Sequence, residues 1–149
     1  MVLRPNCQQR ILLADDDEDD CLLFEDALKE ICPEQSILTT ANDGFLLMQL
    51  LTHPTPDSPD IIFLDLNMPV KNGFQCLSEI RKNEDLKAIP VVIFSTTAQK
   101  EAIDKVYRDG ASLYIRKPGS FVKLKNVIER VLSRDWRSGL QTPKESFVL

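Results

Sequence analysis

Apolar positions along the chain follow two alternating rhythms. The runs RILLAD (10–15), DIIFLD (60–65), PVVIFS (90–95) and SLYIRK (112–117) are short and almost continuously apolar, as expected of strands buried on both faces. A further strand is predicted over SILTTA (36–41). Between the runs the spacing lengthens to that of a helix. Cys21, Phe24, Leu28 and Ile31 share one face of a 3.6-residue repeat that Pro33 ends, and Phe74, Leu77 and Ile80 share another that runs to Asn83. Phe121, Leu124, Ile128 and Val131 do the same within SFVKLKNVIERVL (120–132).

The remaining elements are marked by their ends. Asn42-Asp43-Gly44 forms a turn and cap before the short apolar helix FLLMQLL (45–51), and Gly110 closes the helix AQKEAIDKVYRDG (98–110). THPTPDSP, with three prolines in eight residues, reads as a surface loop, and the histidine within it, His53, as a surface side chain. The order is (βα)5. Buried strands alternating with amphipathic helices imply an α/β, doubly wound parallel sheet with helices on both faces and right-handed crossovers. Ligands of such folds bind at the carboxyl ends of the strands.

At 149 residues the chain is predicted to form one domain over 1–132, with 133–149 as an irregular tail and no output domain. In that tail Trp136 and Phe147 are available to pack on the body or on a partner. The net charge of −5 and the lack of a basic cluster argue against nucleic acid. No apolar run approaches the ~20 residues a membrane span needs, so a cytoplasmic protein is expected. Cys7, Cys21, Cys32 and Cys76 form no C-x-x-C pair and are read as reduced thiols.

Chemistry is sought at strand ends. The first strand delivers Asp15 and Asp16, the third Asp65, the fourth Ser95 and Thr96, the fifth Lys117 followed by Pro118. Three converging carboxylates repel one another unless a cation joins them, and a site with few protein oxygens suits Mg²⁺ better than Ca²⁺. Such a site invites a phosphoryl oxygen, with Lys117 and Ser95 neutralising and orienting the others. Asp65 closes the central strand and is followed by a loop, which makes it the best phosphoryl acceptor. The acids Asp17 to Asp20 fall where a helix begins and are read as complementing its dipole and capping its free N–H groups, so Asp19→Ala or Asp20→Ala should leave phosphorylation of Asp65 nearly intact.

Asp15-Asp16, DLNMPVKNG (65–73), FST (94–96) and Lys117-Pro118, in this order and spacing, resemble the receiver domain of two-component response regulators over about residues 9–132. The resemblance implies the CheY-like, flavodoxin-like strand order 2-1-3-4-5 and phosphorylation of Asp65 by a sensor histidine kinase or a phosphotransfer protein. It further implies Mg²⁺ held by Asp16, Asp65 and the backbone carbonyl of Asn67, with Asp15 acting through a water. Ser95 and Tyr114 would form the switch pair, and Lys117-Pro118 a cis peptide. Thr96, where small residues are common, becomes a candidate gate for attacking water.

The expected output is a binding event with an unknown downstream protein, or onward relay, with only slow autodephosphorylation and no enzymatic turnover. A homodimer built from Trp136, Phe147 and the apolar fifth-helix face is a further expectation. Three alternatives stand beside this reading. An Asp-nucleophile phosphatase would want a second acid where Asn67 stands, a flavin carrier would want a glycine-rich phosphate cradle, and a phosphorylation-independent scaffold would have no need of the full pocket.

Overall fold

In the computed structural model, which describes residues 7–33, 36–53 and 58–149, the elements alternate as the periodicity predicts. They are β1 (Arg10–Ala14), α1 (Glu18–Ile31), β2 (Ile37–Ala41), α2 (Gly44–Thr52), β3 (Ile61–Leu64), α3 (Gly73–Lys82), β4 (Val91–Ser95), α4 (Lys100–Arg108), β5 (Leu113–Arg116) and α5 (Phe121–Leu132). All strand pairs are parallel, in the order β2-β1-β3-β4-β5. Residues 54–57 of the proline-rich loop lie outside the described residues, whereas His53 is exposed as expected.

Strand side chains divide with period two, which places a core on each face of the sheet. Ile11, Leu13, Ile61, Phe63, Val92, Phe94, Leu113 and Ile115 pack with Phe24, Ala27 and Leu28 of α1 and Leu124, Ile128 and Val131 of α5. Leu12, Ala14, Ile62, Leu64, Val91, Ile93 and Tyr114 turn to the other side, against Leu47, Cys76, Leu77, Ile80 and Val106 from α2, α3 and α4.

The helices start where a side chain satisfies free backbone N–H groups. Asp17 caps α1, Asp43 caps α2, Ser120 caps α5, and Asn72 with Gln75 forms a reciprocal capping box on α3. Helix α4 begins without a side-chain cap and ends at Gly110, whose φ of +97° carries the left-handed turn into β5. At the amino ends of the strands Arg81 ties loops together, donating from Nε to the Gly110 carbonyl (2.8 Å) and from Nη1 to that of Ile89 (2.7 Å).

Two expectations are corrected. Cys7 and Cys32 are joined in a disulfide, so only Cys21 and Cys76 are free thiols. Helix α1 runs back antiparallel to β1, which brings its last turn beside the residues that precede the strand, with the two Cα atoms 5.4 Å apart. Lys117–Pro118 is trans, as is every peptide bond among the described residues. A trans X-Pro bond is favoured by about 0.5–1 kcal/mol.

The segment after α5 is more ordered than an irregular tail. It makes two 3-10 turns, Trp136–Ser138 and Lys144–Ser146, and returns along the free edge of β5. Phe147 accepts at its carbonyl from Tyr114 N–H (2.9 Å), Leu149 N–H donates to the Tyr114 carbonyl (2.8 Å), and Val148 bridges Tyr114 in parallel. The Thr142 hydroxyl donates to the Ser112 carbonyl.

Candidate functional site

The site is assembled by register. Asp65 N–H donates to the Ala14 carbonyl (2.9 Å) and Asp15 N–H to that of Ala41 (3.0 Å), so both acids leave their strands at one level. The pairings Leu64↔Ile93 and Ser95↔Arg116 bring Ser95 and Lys117 to the same rim. The loop after Asp65 is closed by Gly73, whose N–H donates to the Leu66 carbonyl (3.0 Å). A Cβ at Gly73 would stand 2.2 Å from the Asp65 carbonyl oxygen, so only glycine lets α3 start this close behind the acceptor.

Asp15 and Asp65 are buried, Asp16 is exposed, and carboxylate oxygens of all three lie within 4.8 Å of one another. Lys117, with a side chain only 10% exposed, meets Asp15 Oδ2 at 2.8 Å and Asp65 Oδ2 at 3.3 Å. Burial pushes the Asp15 carboxyl up to about 6 in spite of that lysine, with the Asp65 charge adding to the rise. Burial alone would lower Lys117, but the carboxylates of Asp15, Asp20 and Asp65 carry it above its ordinary value.

The Asp15 Oδ2 atom is buried and has no well-aligned hydrogen-bond donor. Three carboxylates within 4.8 Å of one another, with one ammonium against two of them, are a set of hard oxygen donors that a divalent cation satisfies, so the residues fit a metal of that class. Asn67, exposed, donates its N–H weakly to Asp65 Oδ1 (3.4 Å), leaving its carbonyl free of that bond.

Ser95 is fully buried, and its Oγ accepts from Thr97 N–H (3.2 Å). Thr96 beside it is exposed, and Pro118 is half-buried. Tyr114, also fully buried, donates its hydroxyl to the Thr97 carbonyl (2.6 Å). Burial raises the Tyr114 phenol above its ordinary value, with Ser95 close enough to oppose the rise. The two free thiols are chemically quiet, because burial pushes both Cys21 and Cys76 up to about 11.

Asp20 is a first-turn acid of α1, as expected, but it is not merely solvated: its Oδ2 lies 2.8 Å from Lys117 Nζ. The signal was available in the helical period, because Asp20 precedes buried Phe24 by four residues and Ala27 by seven and therefore lies on the inner face of α1. The other assignments hold. Asp17 accepts from Asp19 and Asp20 N–H, and Glu18 and Asp19 are exposed in the first turn.

A family model for the response regulator receiver domain matches residues 11–129. The chain belongs to the response regulator receiver family. Response regulator Rcp1 of Synechocystis is 30% identical over 127 residues, covering 83% of this chain and 86% of the relative. Protein PilH of Pseudomonas aeruginosa is 31% identical, covering 83% of this chain and 98% of the relative. Among solved structures, the Mn²⁺-bound form of Rcp1 superposes with a TM-score of 0.75 at 29% identity, covering 91% of this chain and 99% of that one. A phosphorylated cyanobacterial phytochrome response regulator, RcpA, gives 0.75 at 30% identity, over 83% and 91%. Receiver domains of response regulators are phosphorylated by histidine kinases, and the carboxylates of this receiver are set out as a divalent-cation site. Among the described residues no helix is long and apolar enough to cross a membrane.

Proposed function

We propose that this receiver accepts a phosphoryl group on Asp65 from the phosphohistidine of a sensor histidine kinase or phosphotransfer protein, with Mg²⁺ as the cation. The observation that carries this reading is the placement of Asp65: buried at the end of the central strand, next to Asp15 and Asp16 and 3.3 Å from Lys117. An Asp65 carboxylate oxygen attacks phosphorus, the phosphorus–nitrogen bond breaks, and the imidazole leaves with the bonding pair and is protonated. Asp15, Asp16, Asp65 and the Asn67 carbonyl would hold Mg²⁺, which supplies charge neutralisation for the transferring group. Lys117 and the Ser95 hydroxyl face the remaining phosphoryl oxygens.

Output follows from a population shift. A new dianion draws Ser95 and Lys117, and Tyr114, bonded beside Ser95, transmits the change to the face made by α4, β5 and α5. The recipient is a downstream protein or the next carrier of a relay, in the cytoplasm. Return to the resting state is slow autodephosphorylation rather than enzymatic turnover. Exposed Thr96 screens the attacking water, so Thr96→Ala should dephosphorylate faster than the wild type, and an unchanged rate would remove that role. A homodimer would have to use this same face without Phe147, which is buried within its own chain.

Titration with beryllofluoride in Mg²⁺ tests the acceptor. Binding that shifts Asp65 resonances and vanishes in Asp65→Asn is expected, and the reading fails if the wild-type chain binds nothing.

A further inference from the structure

We propose that Asp20 is a positioning residue for Lys117: it holds the ammonium over Asp65 when a divalent cation draws on the carboxylates of Asp15 and Asp65. The inference rests on the acceptor reading above. Lys117 Nζ meets three carboxylates: it hydrogen-bonds Asp20 at 2.8 Å and Asp65 at 3.3 Å, and forms an ion pair with Asp15 at 2.8 Å. These partners are not equivalent. Asp15 and Asp65 belong, with Asp16, to the group whose oxygens lie within 4.8 Å of one another, and Asp20 does not.

A cation in that group competes with the ammonium for the charge of the same two carboxylates and weakens two of its three attachments. Asp20 stands apart, and its side chain is 30% exposed where those of Asp15 and Asp65 are 0% and 7%. Its backbone is fixed by the first turn of α1, where its N–H donates to Asp17 Oδ1 (3.2 Å). The Phe94 ring lies 5.5 Å from Nζ. Held by Asp20, the ammonium keeps its direction, and the donor released from Asp65 on phosphorylation points at a phosphoryl oxygen. A helix-dipole role alone would be met by a solvent-facing acid such as Asp19.

The test is beryllofluoride affinity in saturating Mg²⁺, measured by calorimetry on the full chain. Asp20→Asn should bind about tenfold more weakly, while Asp19→Asn, which removes the same charge one residue away, should stay within about twofold of wild type. In a Lys117→Gln background the Asp20→Asn change should cost less than about twofold, since the coupling runs through the lysine. Equal effects of the Asp19 and Asp20 changes, or an undiminished Asp20 effect without Lys117, would overturn the assignment. Failure of the wild-type chain to bind is a separate result, which overturns the acceptor reading and with it the role of Asp20.

Discussion

At the carboxyl rim Lys117 meets Asp15, Asp20 and Asp65, and Asp16 adds a further carboxylate within 4.8 Å of those of Asp15 and Asp65. Along the outer edge of β5, a few residues away, Tyr114 gives its N–H, its carbonyl and its hydroxyl to partners within the chain. Phe147 lies edge-on to Tyr107 at 4.9 Å and packs on Tyr114. The rim holds more like charge than its lysine offsets, and the edge closes on itself. Charge is therefore left open just beyond the end of β5, where Lys117 stands, and backbone and ring are closed within it at Tyr114.

The sharpest test of this contrast is Asp65→Asn. Phosphorylation by a small-molecule phosphodonor, followed by mass spectrometry, should be lost completely. Yet the metal-free protein should unfold at the same or a slightly higher urea concentration, because one of the crowded carboxylates is gone. Asp16→Ala should likewise abolish Mg²⁺-dependent labelling, and with it the rise in melting temperature that Mg²⁺ gives the wild type. Marked destabilisation by either change in the absence of metal would erase the distinction.

The edge should answer in the opposite way. Phe147 is buried in contact with Tyr107 and Tyr114, and Phe147→Ala removes that packing. A loss of about 3–5 kcal/mol in urea unfolding is expected, with Mg²⁺ affinity unchanged. The change also bears on switching. Tyr114 is already fully buried with Phe147 against it, so an outward resting position of its ring requires the tail to give way. Solvent quenchers should then reach Tyr114 more readily in resting Phe147→Ala than in the wild type, and beryllofluoride should reduce that access.

Sequence reading captured the rim well and the edge poorly, for physical reasons. Strand-end charges announce themselves, because Asp15, Asp65 and Lys117 each end an apolar run and a parallel sheet brings such ends together. Asp20 was lost in a run of six acids, where helix-start chemistry explained all the neighbours and obscured the one on the inner face. Residues 133–149 show no period of either kind, and the pairing of Val148 with Tyr114 depends on a chain return that local pattern does not encode. The Cys7–Cys32 bond was missed for the same reason: its partners lie 25 residues apart in no motif, and only the packing of α1 on β1 joins them.

The smallest expected effect concerns the rim's backbone. Val70, between Pro69 and Lys71 in the loop after Asp65, has φ = +67° and is 80% exposed. A β-branched residue is strained there, at a cost of order 1–3 kcal/mol, and its exposure means that packing does not repay it. Asparagine adopts this conformation more readily, so Val70→Asn should raise unfolding stability by about 1 kcal/mol. The loop also carries Asn67, whose carbonyl is the proposed metal oxygen. If the strain serves to hold that carbonyl toward the cation, Val70→Asn should weaken Mg²⁺ binding while stabilising the fold, so that rim function and stability again move in opposite directions. Stabilisation with unchanged Mg²⁺ affinity would show instead that the strained residue is incidental to the site.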